Sequence, residues 1–248
     1  LTFAHPLTYT SGMIVNTCMY NWNGTVRMTF ADGTNFASKW DGTTFTLLYT
    51  AGAPTNPTYC CEFAGYLFLS GYTSNTGAVS ISATLNDTDC TSINGAAEIV
   101  IGDTVTWMKV WRAQLIIFCK NAVRRIIGNS TDTTSAQPFT VLHITDKIGC
   151  LEGRTVKECN GDLLFLAPDG IRTISGTVNI GDTEIGSISR PIQSIVSTIN
   201  PVTTPCHAVV VHKKTQYRLF YPDPNSTSDT TNFGIVGGIR RFRDGHEG

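Results

Sequence analysis

The chain has 248 residues, enough to bury a large core in one domain or two. Charged residues are 15% and hydrophobic residues 41%, which excludes a disordered chain, and the polar remainder leans on Thr, Ser, Asn and Gly, which suit strands and turns. Net charge is −1, with 6 basic and 7 acidic groups in residues 1–124 and 12 of each in 125–248, so neither half is a domain that binds nucleic acid by neutralising phosphates.

In chain order one phrase keeps returning: a polar or small turn, four or five apolar residues, a second turn and another strand. It runs at Asn23-Gly24 before TVRMTF, and at Ala64-Gly65 before YLFLS and AVSIS. It follows at Trp111-Arg112-Ala113-Gln114 before LIIFC and AVRRII, and at Asn160-Gly161-Asp162 before LLFLA, Pro168-Asp169-Gly170 and IRTIS. The last instance is Lys213-Lys214-Thr215-Gln216 before YRLFY, with a longer polar loop and FGIVGGIRRF. Anchored on Gly24, Gly65, Ala113, Gly161 and Thr215, the steps are 41, 48, 48 and 54 residues. One four-stranded blade of a β-propeller takes about 40–50 residues. A sandwich has turns every 8–12 or so residues without this larger beat.

YLFLS and LLFLA are apolar at nearly every position, as strands covered on both faces should be. RMTF and RTIS alternate better and read as half-buried outer strands. Pro168-Asp169-Gly170, Ala31-Asp32-Gly33 and Trp40-Asp41-Gly42 supply the turn chemistry between strands. The polar tracts 129–137 and 222–232 read as exposed loops, where a rigid scaffold makes its contacts. The expected fold is all-β: an irregular or incomplete β-propeller of about five to six blades, one domain over residues 1–248. With no initial Met, the chain reads as a piece of a longer polypeptide.

One segment departs from the beat. Ser189-Arg190-Pro191 resembles a helix start, and Ile192, Ile195, Val196 and Ile199 share one helical face before Asn200-Pro201 ends it. This predicts a short amphipathic helix packed on the sheets. No apolar run approaches the roughly 20 residues of a membrane helix, so no membrane partner is expected.

The eight cysteines contain no C-x-x-C pair and no accompanying C-x-x-H, which disfavours zinc. Cys119 and Cys159 lie inside apolar runs, where a thiol acts as a small buried hydrophobe, so reduced structural cysteines and a reducing compartment are expected. Cys60-Cys61 would alternate across a strand, against a bridge between them.

Chemistry-bearing residues are scattered. His5, His143, His207, His212 and His246 belong to no HExxH, GxSxG or P-loop pattern. Cys206-His207 is adjacent only in sequence, and a strand position explains it more simply than a thiol nucleophile. Asp162 and Asp169, with Asp182 and Glu184, could serve a propeller glycosidase as paired acids, yet turn and edge duties explain all four. Gly102-Asp103-Thr104 and Gly181-Asp182-Thr183 repeat a loop tripeptide whose Asp bonds the backbone. Trp22, Trp40, Trp107 and Trp111 suit core packing better than sugar stacking, and Arg240, Arg241 and Arg243 suit a solvated surface. No catalytic, cofactor or metal residue is assigned.

Three runs carry a resemblance: IGDTVTWMKVWRAQLIIFCKNAVRRIIG (101–128), ITDKIGCLEGRTVKECNGDLLFLAPDGIRTISG (144–176) and IGDTEIGSISRPIQSI (180–195). Together they resemble β-propeller-like virion structural proteins of tailed bacteriophages, nearest to the tail nozzle, or tail tubular, proteins of short-tailed phages. The resemblance implies a homo-oligomeric ring, typically a hexamer, around a DNA channel below the portal. It further implies neighbouring tail and portal or adaptor proteins as partners, a place in the virion tail after assembly in the bacterial cytoplasm, and no catalysis or cofactor. Family nozzle subunits are much longer than this chain. The alternatives are a carbohydrate-binding or carbohydrate-cleaving propeller, such as a receptor-binding tail protein, and a host scaffold propeller.

Overall fold

A computed structural model describes residues 12–22, 24–48, 52–128, 139–175, 188–199, 206–222 and 233–238. The chain divides into two compact units, Leu1–Gly149 and Cys150–Gly248. The first holds three four-stranded sheets: β1 (Asn16–Trp22), β2 (Thr25–Ala31), β3 (Ser38–Trp40) and β4 (Phe45–Leu47); β5 (Tyr59–Phe63), β6 (Tyr66–Ser70), β7 (Ala78–Ile81) and β8 (Ala97–Val100); and β9 (Val105–Trp111), β10 (Gln114–Cys119), β11 (Val123–Gly128) and β12 (Phe139–Thr145). The second holds two three-stranded sheets: β13 (Lys157–Cys159), β14 (Asp162–Ala167) and β15 (Gly170–Thr173), then β16 (His207–Val211), β17 (Gln216–Tyr221) and β18 (Phe233–Gly238). Every sheet is an antiparallel meander in chain order. The architecture is therefore all-β, an irregular β-propeller of blade-type sheets, five of them among the described residues.

The sequence beat has a backbone cause. Its five anchors are turn residues of the first hairpin of each sheet, and all are left-handed: Gly24 (φ 88°), Gly65 (φ 81°), Ala113 (φ 56°), Gly161 (φ 78°) and Thr215 (φ 50°). A left-handed turn residue matches the twist of the two strands it joins. Glycine takes this conformation without a Cβ penalty, whereas the β9–β10 turn places Arg112 and Ala113 there, both at positive φ. The stretch 160–176 that contains LLFLA and IRTIS supplies the second and third strands of one such sheet, in the register Leu164↔Thr173 to Ala167↔Gly170.

The second strands β6 and β14 are mostly apolar because their residues are buried on both faces. In β6, Tyr66 and Phe68 join the cluster shared with the third sheet, including Leu115, Ile117, Ile126 and Phe139. The alternate residues Leu67 and Leu69 join Tyr20, Ala37 and Leu48 of the first sheet. In the second unit, Leu164 and Leu166 of β14 pack with Ala208, Tyr217 and Leu219. The other apolar residues of β14, Leu163, Phe165 and Ala167, are also buried, and only Asp162 at its start is not.

This corrects the reading of RMTF. Its residues 27–30 lie in β2, the second strand of its sheet, not an outer one. The covered face carries Arg27, Thr29 and Ala31, whereas the apolar Met28 and Phe30 share the other face with Val26, which is 53% exposed, so the alternation here does not mark the buried face. RTIS does begin in an outer strand, β15, and it alternates as read: Arg172 and Ile174 are buried, while Thr173 and Ser175 are half-buried.

The segment after Ser189 is shorter than the periodicity predicts: a 3-10 turn at Arg190–Ile192 followed by one helical turn, α1 (Gln193–Val196). Val196 and Ile199 are buried with Ile192 packed beside them, but Ile195 is 45% exposed, so the predicted four-residue face is only partly used. Ser189 does not cap the turn; its Oγ accepts a hydrogen bond from the backbone N–H of Ile171 at 3.0 Å, fastening the segment to β15. Among the described residues no helix is long and apolar enough to cross a membrane.

Candidate functional site

The leading strands of the first unit, β1, β5 and β9, run side by side, and residues 16–19, 59–62 and 107–110 wall an open cavity of about 300 Å³. Period-two alternation divides the chemistry. On β5, Cys60 turns toward the first sheet and Cys61 toward the third. This is the alternation expected for the vicinal pair, and all eight cysteines are free. Tyr59 meets Trp107 edge-on, ring centroids 5.6 Å apart. Asn16 Nδ2 donates to the carbonyl of Thr58 at 2.7 Å, tying β1 to the approach of β5. Glu62 is the carboxylate of this wall and Lys109 its cation.

Two thiols of this wall, Cys18 and Cys61, are held protonated. A hydrogen bond with Cys60, then burial, holds Cys18 well above the ordinary thiol value. Burial pushes Cys61 up to about 12. The same cause raises Cys119, Cys150 and Cys206 to about 12 and Cys90 to about 11. A nucleophile or metal ligand must be a thiolate, so none of these is poised as one at neutral pH. Among the described residues no three His, Cys, Asp or Glu side chains come together as a metal site.

A second cluster was not legible in the sequence. Asp87, in the loop between β7 and β8, has a fully buried side chain. It accepts a hydrogen bond from Lys39 Nζ on β3 at 2.9 Å, and Arg27 of β2 lies 3.7 Å away. Lys39 is 48 residues from Asp87, and each looks like a surface residue in its local sequence. The cluster joins the first two sheets: Asp87 Oδ1 takes both cations, while its Oδ2 is buried without a hydrogen-bond partner among the described residues.

The residues singled out from sequence are dispersed. Cys206 is fully buried, and His207 beside it stacks on Phe220 with centroids 5.2 Å apart. Asp162 accepts from the backbone N–H of Leu163 and of Ser175, and Asp169 pairs with Arg172, so both serve the hairpin. Asp103 accepts from the N–H of Thr104 at 2.8 Å and of Asn121 at 2.6 Å, the loop role its tripeptide predicts. His143 sits 3.1 Å from Asp146 on the surface. Trp111 packs under the Arg112 guanidinium at 4.3 Å, while Trp40 is half-buried. His5, His246, Asp182, Glu184, Asn200-Pro201, the tract 129–137, residues 223–232 and the arginines at 240, 241 and 243 lie outside the described residues, as does the side chain of Trp22.

No protein-family model matches this chain, and no curated protein matches it significantly. Among solved structures it is similar to Raptor of Chaetomium thermophilum, at 11% identity and a TM-score of 0.47 over 86% of this chain, and it spans 19% of the length of that chain. It is also similar to Hsv2 of Kluyveromyces lactis, at 10% identity and a TM-score of 0.44, covering 86% of this chain and 70% of that one. Likenesses at this level carry nothing about what the chain binds or does.

Proposed function

We propose that this chain is a structural subunit of a tailed-phage virion, part of the tail nozzle or head-to-tail connector, which works by shape as a rigid wedge in a ring of its own copies. The observation that carries the assembly reading is the outer face of the first sheet. Register places Met19, Met28, Trp40 and Phe45 in one row across its four strands, with Thr17, Phe30, Ser38 and Leu47 in the next. No residue in either row is charged. Met19 is 55% exposed, and Val26, one row further, 53%. A contiguous apolar, aromatic and Met-rich face without charge has the composition of an interface core rather than of solvated surface. The virion placement rests on the resemblance carried by residues 101–128, 144–176 and 180–195.

In this reading the protein transforms no molecule. Cys18 and Cys61 along the cavity are held neutral, Asp87, Asp103, Asp162 and Asp169 are engaged in ion pairs or backbone turns, and Glu62 of the cavity wall accepts from the backbone N–H of Gly65. Sedimentation velocity on the purified chain tests the assembly step, with Met19→Glu combined with Val26→Glu as the variant. Self-association that the pair of substitutions abolishes, with far-ultraviolet dichroism unchanged, supports the reading. A monomer at every concentration sinks the assembly step, and imaging of native particles that lack this chain in the tail sinks the placement. Glycan binding by the monomer with quenching of Trp107 fluorescence would favour the carbohydrate alternative, since Trp107, Tyr59 and Glu62 share the cavity wall.

A further inference from the structure

Cys18 and Cys60 stand apart from the other thiols, for a reason independent of the assembly reading. The Sγ of Cys60 lies 3.6 Å from the carbonyl oxygen of Asn16 and 3.7 Å from that of Thr29. Asn16 is two residues before Cys18, on the same face of β1. Thr29 is the residue paired with Cys18 across the β1–β2 ladder. The two carbonyls bracket the Cys18 side chain, so the sulfur of Cys60 is set beside that of Cys18, and the two thiols share a hydrogen bond. Both pack on the cluster of Tyr20, Leu67 and Leu69, and both remain half-buried in the wall of the open cavity. A small reagent can therefore reach them from solvent. By contrast Cys119, Cys150, Cys159 and Cys206 are fully buried, and Cys61 faces the opposite way along β5.

We propose that Cys18 and Cys60 form a redox modification site that takes a low-molecular-weight disulfide, such as oxidised glutathione, and closes to an intramolecular bridge. In the first step the thiolate of one cysteine attacks a sulfur of the small disulfide; its S–S bond breaks and one small thiolate leaves. In the second, the other cysteine, as thiolate, attacks the protein sulfur of the mixed disulfide and expels the second small thiolate. The protons given up by Cys18 and Cys60 end on the two released thiols. The protein loses two electrons and two protons, and the reagent gains them. The hydrogen bond with Cys60 and burial keep Cys18 protonated at rest, which suits a reduced ground state in a reducing compartment.

The bridge would staple the leading strand of the first sheet to that of the second across the segment from residue 18 to residue 60. Closing a loop of that length raises the thermal midpoint by on the order of 5–10 °C. The test uses the whole chain incubated with oxidised glutathione in mildly alkaline buffer, followed by alkylation of free thiols, digestion and non-reducing peptide mapping. The expected result is a Cys18–Cys60 linked peptide, no glutathione on either residue, and reversal by dithiothreitol. In the Cys18→Ser chain, Cys60 should instead retain glutathione. Both residues alkylated as free thiols, a stable glutathione adduct on either in the unaltered chain, or a link to any other cysteine would each overturn the proposal. The map of the unaltered chain decides the matter even if the variant fails to fold.

Discussion

The first unit contains two sheet-to-sheet interfaces made from one repeated strand pattern and filled in different ways. Between the second and third sheets the filling is aromatic and aliphatic: Phe63, Phe68 and Phe139 meet with centroids 5.2–6.0 Å apart, among Val79, Ile81, Leu115 and Ile117. Between the first and second sheets the apolar set is smaller: Tyr20, Ala37, Leu48, Leu67 and Leu69. Polar contacts add to it there, with the Lys39–Asp87 pair, the Tyr20 hydroxyl on Gly65 and the thiol of Cys60 on β1 and β2 carbonyls. The two faces of the single strand β6 serve both interfaces. Apolar area holds sheets together without fixing their register, whereas a buried charge or hydroxyl must find one particular partner.

The largest effect should come from cutting the apolar interface. Phe68 is fully buried and touches both Phe63 and Phe139, so Phe68→Ala loses about 3–5 kcal/mol, toward the upper end because rings on two sides cannot collapse into the space. Urea denaturation measures it. Next comes the polar interface. Asp87→Ala leaves Lys39, whose side chain is 10% exposed, without that carboxylate, and should cost about 3 kcal/mol. The 21% exposure of the Arg27 side chain lets it recover hydration and keeps the loss below the maximum. Replacing both members, Lys39→Met with Asp87→Leu, should recover most of the loss, because the pair repays little beyond its own desolvation. If the double variant is as weak as the single one, the ion pair holds the interface and the contrast drawn above is wrong.

Alkaline pH probes the apolar interface separately. Cys119 belongs to its cluster and is fully buried; burial, then the nearby Asp103 charge, pushes its thiol up to about 12. In the unfolded chain the thiol ionises near its ordinary value of 9.0, so above that pH the unfolded state releases a proton that the folded state retains. Its contribution is fully present below pH 9 and is lost as pH rises toward 12, by on the order of 1 kcal/mol at pH 10. Denaturation midpoints across this window should fall less steeply in Cys119→Ala than in the unaltered chain.

Much of this fold could be read from the chain because two local demands repeat. Each sheet opens on a hairpin with a left-handed turn residue, and each covered second strand needs apolar side chains on both faces. Hence the spacing of Gly24, Gly65, Ala113, Gly161 and Thr215 marks the five sheets. The error over RMTF is instructive. Apolar alternation does not say where a strand sits within its sheet, and it does not always mark the covered face: β17 buries its alternate Tyr217, Leu219 and Tyr221, whereas β2 buries Thr29 and Ala31 and leaves Met28 and Phe30 on the less covered side. The cavity and the Asp87 cluster could not be read, because their members are brought together only when one sheet packs on the next. Asp87 sits in the run NDTD, which reads as a solvated turn, and its partner is on β3. Cys18 and Cys60 likewise belong to different sheets, and only the local Cys60-Cys61 alternation was visible.

The smallest expected effect is also the most selective. Tyr20 is fully buried, and its hydroxyl donates to the carbonyl of Gly65 at 2.9 Å, in the turn between β5 and β6. Tyr20→Phe removes that bond but keeps the ring in the apolar set with Leu67 and Leu69. The carbonyl is not abandoned, since it also accepts from the backbone N–H of Leu85 at 2.8 Å. The loss should therefore be about 1 kcal/mol, the net worth of one hydrogen bond without the added cost of an orphaned acceptor. Amide hydrogen exchange gives the sharper readout: if polar contacts set register at this interface, protection should fall at Gly65 and Leu85 while that of Phe68 and Ile117 is unchanged. A uniform fall across both interfaces would mean that the hydroxyl contributes to holding the sheets together rather than to aligning them.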